Sequence, residues 1–261
     1  MLDDATIARI VDDLAEAEST RTKIGRLTAQ HPGMTVEDSY AVQNEWRRRG
    51  EAAGRRLCGH KIGLTSKPMQ QATGITEPDY GVIFADQVYE TGAAIDHSRY
   101  SGVRVEVELA FVLGAELRGP DISLIDVLRA TEYVVPALEV LSSRIELEGR
   151  TIVDTIADNA ALGGMVLGGR PVAVDAVDLR WVGALLYRNE TIEDSGVAAA
   201  VLDHPARGIA WLANKLADHG DVLQAGETVL AGSFTRPMWV HPGDTVHADY
   251  GDLGVITCRF E

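Results

Sequence analysis

The apolar positions change their period once along the chain. Up to about residue 57 they recur at helical spacing: Ile7, Ile10, Val11 and Leu14 share a face, and "TVEDSYAVQNEWRRR" follows with Thr35 as N-cap and Asp38 three positions on. Two helices are predicted there. From "GHKIGLTS" onward the pattern becomes short apolar runs broken by glycine: "KIGL", "YGVIF", "VEVELAFVLG", "EYVVPALEVL", "MVLGG", "ALLYRN", "TVLAGSF", "TVHADY" and "GVITCRF". These predict strands, with "HADYGDLGVITCRFE" as a closing hairpin. "SLIDVLRAT" and "HPARGIAWLANKLADHG" read as helices between them, the second with Pro205 near its start and Gly220 just past its end. The predicted division is a helical region over 1–57 and a strand-rich domain over 58–261.

One strand carries more charge than its pattern tolerates. In "RVEVELAFVL" period two puts Val103, Val105, Val107, Leu109 and Phe111 on one face and Arg104, Glu106, Glu108 and Ala110 on the other. The two carboxylates then stand about 7 Å apart at their Cα atoms. Like charges so placed repel, and burying either without compensation is costly. A third, Glu139, stands in the apolar run "YVVPALEVL". Three carboxylates converging on one pocket suit a hard divalent cation such as Mg²⁺ or Mn²⁺, which takes oxygen ligands and keeps open positions. An E-x-E strand is equally at home on a solvated face, meeting arginine or lysine.

Charge and composition narrow the classes. A formal charge of −15 argues against nucleic acid, which needs clustered lysine and arginine. Two cysteines, Cys58 and Cys258, do not make a disulfide framework, and a reducing cytoplasm is the simplest setting. The acidic, amphipathic start has no apolar signal core, and no apolar run is long enough to span a membrane. There is no phosphate-cradling glycine loop. With only 6% aromatic residues the chain lacks the makings of a sugar cleft, which counts against a two-carboxylate glycosidase.

A second polar cluster is "GHKIGLTSKPMQ…EPDYG". Lys61 precedes a short apolar run, so its ammonium can be drawn into a pocket and fixed by a carboxylate, and such a lysine moves protons. Asp79, in the turn marked by Pro78 and Gly81, is placed to orient it or to accept a proton. From this segment alone a surface lysine at a strand end and a turn aspartate are equally good readings; Lys67 reads as a surface lysine and His60 as a packed or solvated histidine.

Taken in order, "GHKIGLTSKPMQ", "EPDYG", "RVEVELAFVL", "VVPALEVLSSR", "DTIADNAALGGMVLGG", "LDHPARGIAWLANKLA" and "GSFTRP" cover nearly the whole chain and resemble the hydratase/decarboxylase branch of the fumarylacetoacetase superfamily. The resemblance implies an α+β fold, a fumarylacetoacetase-type mixed β-roll or sandwich with an N-terminal helical portion, so that 58–261 is the catalytic domain. It implies Glu106, Glu108 and Glu139 as ligands of Mg²⁺ or Mn²⁺, with Lys61 and Asp79 as the proton-transfer pair. Asn159 and Ala160 match a stretch near the metal and are candidates for substrate hydrogen bonds, with a plain turn as the other reading. Arg236 is a candidate partner for a second, distal carboxylate, and equally for holding a loop to an aspartate or glutamate. The implied activity is hydration of a 2-oxo-alkenoate, such as 2-oxohept-3-ene-1,7-dioate, in aromatic meta-cleavage catabolism. Decarboxylation of 4-oxalocrotonate and hydration of 2-hydroxypenta-2,4-dienoate are the alternatives. Homo-oligomers, as dimers or rings of dimers, are the implied assembly, with room for a complex with an enzyme of the same pathway. A non-catalytic binding or scaffold protein on the same fold is the alternative of another class. The connection "SSRIELEGRTIVDT" is shorter than the heptenedioate hydratases lead one to expect.

Overall fold

A computed structural model describes residues 1–65, 70 and 77–261; Lys67 lies outside the described residues. The two predicted amphipathic helices are α1 (Asp4–Thr20) and α3 (Val36–Ala52), with a one-turn helix, α2 (Leu27–Gln30), between them. Helix α3 starts where the pattern places it. Thr35 Oγ1 accepts from Asp38 N at 3.2 Å and Asp38 Oδ2 accepts from Thr35 N at 3.0 Å, the reciprocal capping box. The other oxygen of Asp38 accepts from Leu2 N at 2.6 Å and so ties the chain start to α3. Ile10, Val11 and Leu14 of α1 cluster with Val42 and Trp46 of α3, and the pair packs on Val82 and Phe84 of the adjoining strand.

The rest is built from two sheets. The larger, among the described residues, runs in the order β2 (Asp79–Phe84), β1 (Leu57–Gly63), β10 (Thr228–Leu230), β5 (Arg104–Leu113), β6 (Thr131–Leu141), β7 (Leu162–Leu167), β3 (Val88–Glu90), with β11 (Met238–Trp239) also on β5. The smaller runs β4 (Ala93–Ile95), β13 (Val255–Phe260), β12 (Thr245–Asp249), β8 (Gly183–Arg188), β9 (Thr191–Val197). The pairs β1·β10, β3·β7 and β4·β13 are parallel and the others antiparallel, so both sheets are mixed. This is the α+β roll with a helical N-terminal portion that the motifs imply. The odd-numbered face of β5, Val105 to Phe111, is fully buried and shares one core cluster with Val246, Ala248, Ile256 and Phe260 of the smaller sheet. Its other face is thereby turned to the site.

Two local outcomes differ from the sequence pattern. A helix over Ile152–Ala157, opened by a Thr151–Asp154 capping box, was not expected from "TIVDT". The run "TVLAGSF" is a strand only over Thr228–Leu230, after which the chain turns away at Gly232, whose φ is +115°. The helix Ala206–Ala217 follows Pro205 as expected, with Gly220 past its end at φ +75°. Cys58 and Cys258 are free. No helix among the described residues is long and apolar enough to cross a membrane.

Candidate active site

The antiparallel register of β5 and β6 sets the carboxylates side by side. Glu106 lies directly opposite Glu139, and Glu108 opposite Ala137, so all three acidic side chains rise from one face of a two-strand ladder. One oxygen from each falls within 4.8 Å of the others. Glu108 and Glu139 are buried, and Glu106 is half-buried at the wall of a cavity of about 130 Å³. The ladder is pinned from behind by the Tyr250 hydroxyl, which lies 3.0 Å from Glu108 O and 2.6 Å from Ala137 O.

Such a cross-strand acidic cluster is unstable unless protons or cations neutralise it. Burial, reinforced by Glu139, pushes the Glu106 carboxyl up to about 8, against the pull of Lys61 and Arg104. Burial, with Glu139 and Glu106, raises Glu108 well above the carboxylate range. Burial also raises Glu139, although Lys61 opposes it. Glu108 is oriented by Gly232 N, which donates to its Oε2 at 2.8 Å, while its Oε1 meets no donor among the described residues. Three convergent carboxylate oxygens, one of them orphaned in a buried site, fit a hard divalent cation.

Lys61 comes to this cluster from β1. Its Nζ lies 3.0 Å from Glu139 Oε1 and donates to Ala160 O at 2.9 Å. Burial works to lower the ammonium, yet Glu139, Asp79, Glu106 and Glu108 together outweigh it and hold the group above its ordinary value. Asp79 opens β2 opposite Gly63 and is buried, and neither of its oxygens finds a hydrogen-bond partner among the described residues. Burial raises its carboxyl, against Lys61. Only glycine fits between the two: a Cβ on Gly63 would lie 2.2 Å from Asp79 Oδ1 and 3.3 Å from Lys61 Nζ.

Asn159, Ala160 and Ala161 form a tight turn with φ of +49°, +50° and +58°, a left-handed run that side-chain-bearing residues rarely adopt. It is held by Asn159, whose Oδ1 accepts from Val82 N at 2.8 Å and whose Nδ2 donates to Val82 O at 2.9 Å. The Asn159 amide therefore faces β2, and the turn contributes Ala160 and Ala161 to the cavity, with the Ala160 carbonyl receiving Lys61. Lys61, Asp79, Glu106, Glu108, Glu139 and Ala160 are thus brought together. Arg236 is not: its side chain is 80% exposed and its Nε donates to Asp194 at 3.1 Å. His60 points to the other side of β1, buried beside Glu227 at 3.2 Å. The arginines at the cavity are Arg104 and Arg150. Arg104 was legible, two positions before Glu106 on the same strand face, whereas Arg150 sits in a connection without periodicity.

A strand pair that presents three carboxylates to a buried lysine and aspartate, in a mixed roll, defines a class of protein. The chain belongs to the fumarylacetoacetate (FAA) hydrolase C-terminal family, whose model matches residues 54–261. It is 52% identical over 266 residues to the 2-oxo-hept-4-ene-1,7-dioate hydratase of Escherichia coli, with 100% of each chain covered. It is 38% identical over 248 residues to the 2-keto-4-pentenoate hydratase of Paraburkholderia xenovorans, covering 95% of this chain and 92% of that one. The fold superposes with a TM-score of 0.97 on 4-oxalocrotonate decarboxylase from Pseudomonas putida G7 complexed with magnesium and adipate, at 35% identity, covering 100% and 99% of the two chains.

Proposed function

We propose that this chain is a divalent-metal-dependent hydro-lyase that adds water to a 2-oxo-heptene-1,7-dioate in aromatic meta-cleavage catabolism. The observation that carries the reading is the convergence of Glu106, Glu108 and Glu139 beside Lys61 and Asp79, in a chain 52% identical end to end to a heptenedioate hydratase. Glu106, Glu108 and Glu139 would hold Mg²⁺ or Mn²⁺, which when bound supplies Lewis-acid polarisation of the 2-oxo acid end of the substrate.

The chain's own groups then manage protons. For a 4-ene substrate, C3 must lose a proton and C5 gain one before C4 is conjugated to the C2 carbonyl; water then adds its oxygen to C4 and a proton returns to C3. Burial makes Asp79 a stronger base than a surface aspartate, suited to take the proton from C3 and hand it back at C5. It then takes a proton from the attacking water, and that proton passes to Lys61 once Lys61 has protonated C3. Lys61 Nζ carries three hydrogens. Two oxygens, from Glu139 and Ala160, fix its position, and it delivers a proton to the carbon chain. Ile62, Leu64 and Leu141 line the same cavity and limit the water that reaches it.

The test is turnover after the protein is stripped with chelator and reloaded with Mg²⁺ or Mn²⁺, followed by ultraviolet absorbance with products identified by mass. Hydration of the seven-carbon dioate, restored by metal, is the expected result. Release of CO₂ from 4-oxalocrotonate without hydration would assign the second reading, favoured by the fold match to the decarboxylase. Silence on 2-oxo acids with metal bound would overturn both.

A further inference from the structure

Two arginines line the cavity, and a lysine stands near them. Arg150 and Arg104 line it together with Glu106, Lys61 and Asp79. Lys23, half-buried, stands near Arg104 and Arg150, with Asp158 and Glu146 also in range of its charge. The Arg104 guanidinium lies 5.4 Å from the Trp239 ring centre, and its Nε has no hydrogen-bond partner among the described residues. Arg150 donates from Nη1 to Ser143 Oγ at 3.0 Å, a neutral partner. Among the described residues none of the three enters an ion pair, whereas Arg144, Arg236 and Lys61 each do. Two guanidiniums that line a cavity without entering an ion pair are placed to receive an anion.

That anion is not the group that meets the carboxylate trio, because the trio and Lys61 already define the reacting end. The cavity lining also includes the apolar Leu64, Leu141 and Pro237, which suit a methylene chain. We propose that Arg150, flanked by Arg104 and favoured by the field of Lys23, seats the distal carboxylate of a dioate substrate, and that Arg150 is the residue selecting dioates over monocarboxylates. This rests on the hydratase reading above for the substrate's other end. It also gives the short "SSRIELEGRTIVDT" connection a task, since that segment delivers Arg150 to the cavity. An arginine fork binds a carboxylate bidentately, which a lysine does not reproduce.

The test compares the metal-loaded wild type with Arg150→Met and Arg150→Lys, each shown to be folded by its melting curve. Two ratios are read: kcat/KM for 2-oxohept-4-ene-1,7-dioate over 2-hydroxypenta-2,4-dienoate, and calorimetric affinity for adipate over hexanoate. Both ratios are expected to fall at least tenfold in Arg150→Met and by less in Arg150→Lys. Ratios within twofold of wild type in folded Arg150→Met overturn the assignment. Should Arg150→Met not fold, Arg150→Lys decides: a drop of threefold or more supports the seat and no drop overturns it. If the wild type hydrates neither compound, the hydratase reading has failed, and the adipate-to-hexanoate ratio still judges the seat alone.

Discussion

Lys61 is the residue on which chemistry and structure are hardest to separate, because it both neutralises Glu139 and faces Asp79. The two roles have different signatures. Replacing it by methionine removes a proton carrier, which should lower kcat by about 10²- to 10⁴-fold. The same change removes a positive charge next to the three carboxylates, so the affinity for Mg²⁺ should hold or increase. Steady-state kinetics beside a calorimetric Mg²⁺ titration of Lys61→Met checks this. A loss of metal binding as large as the loss of turnover would mean that Lys61 serves only to hold Glu139 in place. That Lys61, Asp79 and the glutamates would lie together was legible from the motif resemblance. Spacing alone left Lys61 and Asp79 open to plain readings, since what buries them is the long-range pairing of β1 with β2 and β10. Asn159 carried a signal of importance but not of direction: only the left-handed turn shows its amide committed to Val82.

The β5·β6 ladder is the element on which the site depends, and its register decides that Glu106 meets Glu139. A one-residue slip would send the glutamates into the core face. Tyr250, arriving from the hairpin that closes the chain, locks that register by placing its hydroxyl between Glu108 O and Ala137 O. Tyr250→Phe keeps the ring and deletes this tie, removing the one hydroxyl hydrogen that the two buried carbonyls share. The expected cost is about 1–2 kcal/mol of stability, read as a lower midpoint in urea unfolding with the slope unchanged. A Mg²⁺ affinity that drops with it would show that the register loosens, whereas an unchanged midpoint would show the tie to be idle. Strands with a clear apolar alternation were legible, and so were helices with caps. The helix Ile152–Ala157 was not, because six residues are too few to display a helical period, although its Thr151–Asp154 capping box follows the pattern already recognised at Thr35 and Asp38. The break after Leu230 was hidden as well: Gly232 looks like strand punctuation, and only the fold shows its N–H turned onto Glu108.

Over the whole molecule, a chain of formal charge −15 gathers three of its carboxylates into one inward-facing cluster, and this must appear in how stability depends on pH. In the metal-free protein the Glu106 carboxyl stands near 8 because burial and Glu139 disfavour its charge, against 4.5 as its ordinary value. A raised acid stabilises the fold fully below its unfolded value, and that contribution is lost as pH rises toward the folded one, so the window runs from about 4.5 to about 8. Glu108 and Glu139 are raised for the same cause and add in the same direction. The metal-free protein should therefore melt at a lower temperature at pH 8.5 than at pH 6. Cation binding needs the carboxylates ionised and displaces their protons, so the increase in melting temperature on adding Mg²⁺ should be larger at pH 8.5 than at pH 6. Glu106→Gln separates this from every other titrating group. Without metal it should melt above the wild type at pH 8.5, since one uncompensated charge is gone, and it should respond little to Mg²⁺. Scanning calorimetry of both proteins at the two pH values, with and without Mg²⁺, decides the matter. A metal-free Glu106→Gln no more stable than wild type at pH 8.5, or an equal Mg²⁺ shift at both pH values, would mean that the acidic cluster is already neutralised within the chain and is not poised for a cation.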